Sequence, residues 1–149
     1  MAERKRERTQ AAKLFTQAEG LIEDTELRPR LYVAWARALR RINRDPEAIA
    51  LYDRLCQEFP MERFCTNAMF QAGRLLQYAE DHKASRERFF QLLGMHPGSK
   101  WEAEAVWRAA LSSYLLQEWE MADRLLSHLA THFGHRRDGK RDAEAYPGV

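Results

Sequence analysis

A small residue returns every 37 positions in this chain, at Ala36, Gly73 and Ala110. A second small residue keeps the same interval at Ala48, Ser85 and Ala122, and a bulky one follows four later at Tyr52, Phe89 and Leu126. Helix stops close the units at Pro60, Pro97 and Gly134. Small residues at a fixed period of this length allow two helices to touch closely, so the pattern predicts stacked helical hairpins. Such arrays usually bind other molecules and seldom catalyse.

The spacing of apolar residues predicts seven helices, near 9–22, 29–42, 46–59, 63–78, 82–95, 100–116 and 119–133. Asp45-Pro46 reads as a cap and first turn, because proline's missing donor is not needed there. Ser99 to Glu102 reads as a capping box, in which hydroxyl and carboxylate satisfy each other's backbone donors. A composition of 45% hydrophobic and 31% charged residues suits a folded domain, and only 7 Gly and 5 Pro favour helix. The net charge of +2 gives no case for nucleic acid or an anionic membrane. No apolar run approaches the ~20 residues that span a bilayer.

Subtracting the period from Ala48 and Tyr52 lands on Ala11 and Phe15, so the first helix reads as the second half of a repeat. The expected organisation is a charged N-terminal tail over 1–8, a repeat domain over 9–134 and a flexible charged tail over 135–149. A half repeat at one end and no polar capping helix at the other suggest a segment of a longer array, or self-association through the open ends.

The set of landmarks resembles the tetratricopeptide (TPR) repeat. Its second helix opens on a small residue, carries an aromatic four later and ends at Pro, as in Ala48/Tyr52/Pro60 and Ser85/Phe89/Pro97. First-helix positions are met by Tyr32, Trp35-Ala36 and Leu39, by Met69, Ala72-Gly73 and Leu76, and by Val106, Ala109-Ala110 and Ser113. The period departs from the usual ~34. The resemblance implies an all-α, right-handed α-α superhelix: a half repeat plus three hairpins. The segments around LYDRLCQEFP and FFQLLGMHPGSKW are similar to TPR arrays of bacterial envelope proteins, including the superhelical region of soluble lytic transglycosylases.

Helical geometry places Val33, Arg37, Arg40 and Arg44 on the face of the first hairpin that a TPR-like array turns inward. The period carries these to Phe70, Arg74, Gln77 and Asp81, then to Trp107, Leu111 and Tyr114. Arg30 and Arg41 add charge at one end. Guanidinium groups beside aromatics suit a binding surface, yet Arg is also a good helix former, and Phe70 and Trp107 equally fit core packing. The Lys and Asn pattern with which some TPR domains clamp a C-terminal carboxylate is absent from these positions.

No phosphate loop, HExxH or nucleophile elbow is present, so the chain reads as a non-enzyme without a cofactor. His128, His132 and His135 share a helical face and form a weak metal candidate. Cys56 and Cys65 lie almost symmetrically about Pro60, within reach of a disulfide, but spacing alone favours a reduced core pair. The functional expectation is a scaffold for a protein or extended peptide, an acidic one included, in the cytoplasm or a bacterial periplasm. An accessory domain of a cell-wall lytic transglycosylase and a small secretion chaperone are the alternatives.

Overall fold

A computed structural model describes residues 2–23, 26–61 and 63–134. Among these there are seven α-helices and no strand: α1 (Ala2–Glu19), α2 (Leu27–Arg41), α3 (Asp45–Glu58), α4 (Arg63–Tyr78), α5 (His82–Met95), α6 (Glu102–Leu115) and α7 (Trp119–Phe133). The chain forms two compact units, Met1–Asp81 with α1 to α4 and His82–Val149 with α5 to α7. In the first unit α1 packs on α2, α2 on α3 and α3 on α4, and α2 also approaches α4. In the second, α5 packs on α6 and α6 on α7.

The 37-residue interval survives as geometry. Helices α3, α5 and α7 begin at Asp45, His82 and Trp119, each 37 after the last. Ala36, Ala48 and Ser85 are 0% exposed, Ala110 is 1% and Ala122 4%, and Gly73 is buried in α4. Wherever the small residues recur, helices come close.

A second periodic signal lies in the turns. Asn43, Glu80 and Gln117 have φ of 60°, 63° and 61°. In each turn this left-handed residue donates its N–H three residues back, to Arg40, Gln77 or Tyr114, at 2.9–3.0 Å. The next N–H reaches five back, from Arg44 to Leu39, Asp81 to Leu76 and Glu118 to Ser113, at 2.9–3.0 Å. This pair of bonds satisfies carbonyls that the ending helix leaves free, and the following helix starts at once. Glycine is the usual choice for such a residue. Gln117→Gly should therefore raise stability by about 0.5–1 kcal/mol, the relief of left-handed strain outweighing the extra freedom of the unfolded chain. Thermal unfolding followed by circular dichroism would check this, with Gln117→Ala as the control that should gain nothing.

Polar ties join helices inside each unit. In the first, buried Tyr32 donates its hydroxyl to Glu58 at 2.9 Å and accepts from Arg28 at 2.9 Å. Arg54 pairs with Glu58 at 3.1 Å and also with Glu19, linking α3 to α1. Burial is the main reason that the Tyr32 hydroxyl titrates above its ordinary range. In the second unit Arg86 of α5 donates to Ser113 of α6 at 3.2 Å and pairs with Glu118 at the start of α7. Its guanidinium, by that hydrogen bond first, holds the Glu118 carboxyl below the usual range.

Several local expectations need correction. Residues 2–8 are the first turns of α1 rather than a separate tail, and the residue that α1 buries is Ala12, with Ala11 and Phe15 only half-buried. Helix α1 packs chiefly on α2, so mainly one stripe is covered and the register shifts by a position. Asp45 is the first helical residue of α3 and Arg44 its cap, without a side-chain bond; Arg44 instead pairs with Glu47 at 2.5 Å. The Ser99 capping box does not form: Trp101 caps α6 and the Ser99 hydroxyl has no partner. Gly98, at φ 77°, redirects the chain just before it. Cys56 and Cys65 are joined in a disulfide with Cα atoms 4.7 Å apart, not held as free thiols. The turn at Pro60 brings the end of α3 and the start of α4 within bridging distance. The proposed tail over 135–149 lies outside the described residues.

Candidate interaction surface

Each expected groove residue has a definite place. Val33, Phe70 and Gln77 are 8%, 1% and 8% exposed, so these side chains belong largely to the interior. Arg37 is exposed, and Arg40 and Arg74 are half-buried on the same unit. Trp107, Leu111 and Tyr114 belong to the second unit. There Trp107 is half-buried and packs with Leu93, Leu125 and Phe133 against Ala103, Val106 and Leu129. Leu111 is half-buried, while Tyr114 is exposed and makes an edge contact with Trp119, ring centroids 5.1 Å apart.

What remains accessible in the first unit gathers at one end of the α2–α3 hairpin. A cleft of about 460 Å³ is lined by Arg37, Arg40, Arg41, Asn43, Asp45, Leu75 and Tyr78. The left-handed turn at Asn43 folds α3 back beside the last turn of α2, and the C-terminal turn of α4 closes the third side. Leu75, 3% exposed, gives an apolar floor, and the 60%-exposed Tyr78 ring stands at the rim.

The electrostatics of this cleft are lopsided. Among the described residues Arg28, Arg44, Arg54, Arg86, Arg108 and Arg124 all pair with carboxylates. Arg37, Arg40 and Arg41 do not, and Asp45 is the one carboxylate on the lining. Arg40 donates to Gln71 at 3.4 Å and lies near the Tyr52 hydroxyl. Burial pushes that hydroxyl up, against the opposing pull of Arg40 and Arg37. Arg74 donates to the Tyr78 hydroxyl at 3.0 Å and stacks 5.7 Å from the ring centre, which fixes the aromatic edge. A further cation comes from α1, where Arg8 donates to the Arg41 carbonyl at 3.2 Å.

Sequence reasoning reached Arg37, Arg40 and Arg41 but missed Asn43, Leu75 and Tyr78 as their neighbours. The signal for Asn43 was its place at the period of the turns, since Asn is among the residues that tolerate left-handed φ. Leu75 and Tyr78 give no comparable sign, because their exposure depends on how α4 meets α2 and α3.

His128 and His132 are exposed on α7 with rings stacked at 4.2 Å, and His135 lies outside the described residues. Among the described residues no group of three or more His, Cys, Asp or Glu is placed to hold a metal. None of the described helices is long and apolar enough to cross a membrane.

No family model matches the chain, and no curated protein matches it. Solved structures do. The chain is similar to a structure titled MamA AMB-1, a TPR-like protein, with a TM-score of 0.65 and 13% sequence identity. The match covers 91% of this chain and 68% of that one. At this identity the likeness shows the fold: a TPR-like, all-α helical repeat.

Proposed function

We propose that the chain is a non-catalytic scaffold that binds a partner protein or an extended peptide through the face formed by α2 and α4. A TPR-like fold commonly serves protein interaction, which supports the reading by analogy. The observation that carries it is the group of arginines on α2 without carboxylate partners, set beside an exposed, held aromatic ring. Surface cations not needed for internal ion pairs are free to meet a partner's charges, and Tyr and Arg are common anchors of binding energy.

Affinity capture with cross-linking and mass spectrometry would test it. Cross-links should concentrate on the α2 and α4 segments. The Arg37→Glu/Arg74→Glu variant should keep its fold: Arg37 is exposed, and the half-buried Arg74 gives up one hydrogen bond to Tyr78, a loss of ~1 kcal/mol. It should also lose most of the captured partner and much of the salt dependence of capture. Capture unchanged in this variant would move the site off this face. Retention on peptidoglycan in place of protein would favour the lytic-enzyme accessory reading.

A further inference from the structure

We infer that the cleft at the α2–α3 turn is a docking site for an internal acidic segment of the partner, one whose carboxylates flank an aromatic or large apolar side chain. This deepens the scaffold reading and rests on it.

Three guanidinium groups face one carboxylate on the lining, with Arg8 adding a fourth beside the Arg41 carbonyl. Two of them have an internal reason to be there: Arg40 and Arg41 close the last turn of α2, where cations offset the helix dipole. Arg37 lies a full turn earlier, and no carboxylate of the described residues pairs with it. Its charge is spare, and it extends the cationic strip from the turn along α2. Guanidinium forks select carboxylates in a defined geometry.

The other half of the cleft is apolar. Leu75 floors it, and Tyr78 presents a ring whose orientation Arg74 fixes by a hydrogen bond and by stacking. A ring already held loses little freedom on binding, which favours an apolar side chain from the ligand. Acid and apolar contacts therefore meet in one small volume, and a segment carrying both satisfies them together. A single-stranded nucleic acid would also offer charge and stacking, but its backbone is served by a longer basic groove.

The test uses fluorescence polarisation with the intact chain and the labelled peptide Glu-Glu-Glu-Phe-Glu-Glu. The same peptide with Ser in place of Phe and a short oligouridylate serve as comparisons. The Phe peptide should bind more tightly than the Ser peptide, and its affinity should fall as salt rises. Arg37→Glu/Arg41→Glu should weaken both peptides by about tenfold or more. Tyr78→Ala should remove the preference for Phe while leaving the Ser peptide almost unchanged. Unaltered helicity and melting in the variants would exclude misfolding as the cause.

Failure of both peptides to bind, or equal binding by Arg37→Glu/Arg41→Glu, overturns the inference. Tighter binding of the oligouridylate reassigns the cleft to nucleic acid. If cross-linking still places a captured protein on α2 and α4 while the peptides fail, the acidic-segment inference falls and the scaffold reading stands.

Discussion

Tyr52→Ala should destabilise the first unit by about 3–5 kcal/mol, the range for removing a large aromatic side chain from a core. The equivalent change one period pair later, Leu126→Ala, should cost roughly 1 kcal/mol or less. Both residues occupy the bulky landmark four positions after the small residue, yet Tyr52 is 1% exposed and Leu126 is 41% exposed. The difference follows from packing. Helix α3 is held between α2 and α4, whereas α7 packs mainly on α6. Urea unfolding followed at 222 nm would measure both as shifts in midpoint. Similar costs for the two variants would mean that the landmark has the same burial throughout, contrary to the exposure of Leu126. Tyr52→Phe should be mild, because it keeps the ring and loses only a hydroxyl that lies near Arg40.

The contrast shows what was legible in the chain. Helix type and placement were, because periodicity is written into single residues: α4, α5 and α7 have the boundaries that the pattern predicts, and the small-residue ladder is buried. Helix starts were less so. The Asp45 and Ser99 caps use residue types that suit a cap, but Arg44 and Trp101 occupy those positions because tertiary packing fixes where the chain enters each helix. The turn residues were only partly legible: Asn43 suits a left-handed φ, but Glu80 and Gln117 hold the same backbone conformation without being types that favour it.

The candidate site divides along the same line. Helical spacing puts Arg37 and Arg40 on one face of α2, and that much can be read from i, i+3 geometry. It cannot say that Val33 and Phe70, on the same computed stripe, are interior while Tyr78 is outside. Burial at those positions depends on where neighbouring helices lie, which a single helix's period does not contain. Charge balance needed the fold in part: the Arg54–Glu58 pair follows from i, i+4 spacing, but the contact of Arg54 with Glu19 of α1 depends on how the helices pack.

The disulfide gives the other large expected effect. Replacing Cys56 and Cys65 together with Ser should lower the stability of the first unit by about 2–3 kcal/mol, the entropy of closing so short a loop in the unfolded chain. For a unit of this size that corresponds to a fall in melting temperature on the order of 10 °C. The bond joins the end of α3 to the start of α4 across the Pro60 turn, spanning 9 positions. It therefore holds the α3–α4 interface, against which Leu55 and Ala68 are fully buried. Because the stabilisation exists only where thiols are oxidised, a thiol reductant should lower the melting point of the parent chain and leave the double variant unchanged. Alkylation before and after reduction would count the thiols directly. If the parent chain were already fully alkylated without reductant, the cysteines would be the free core pair that their spacing alone favours. The Ser substitutions would then act only through the loss of buried apolar contacts, and reductant would shift neither protein.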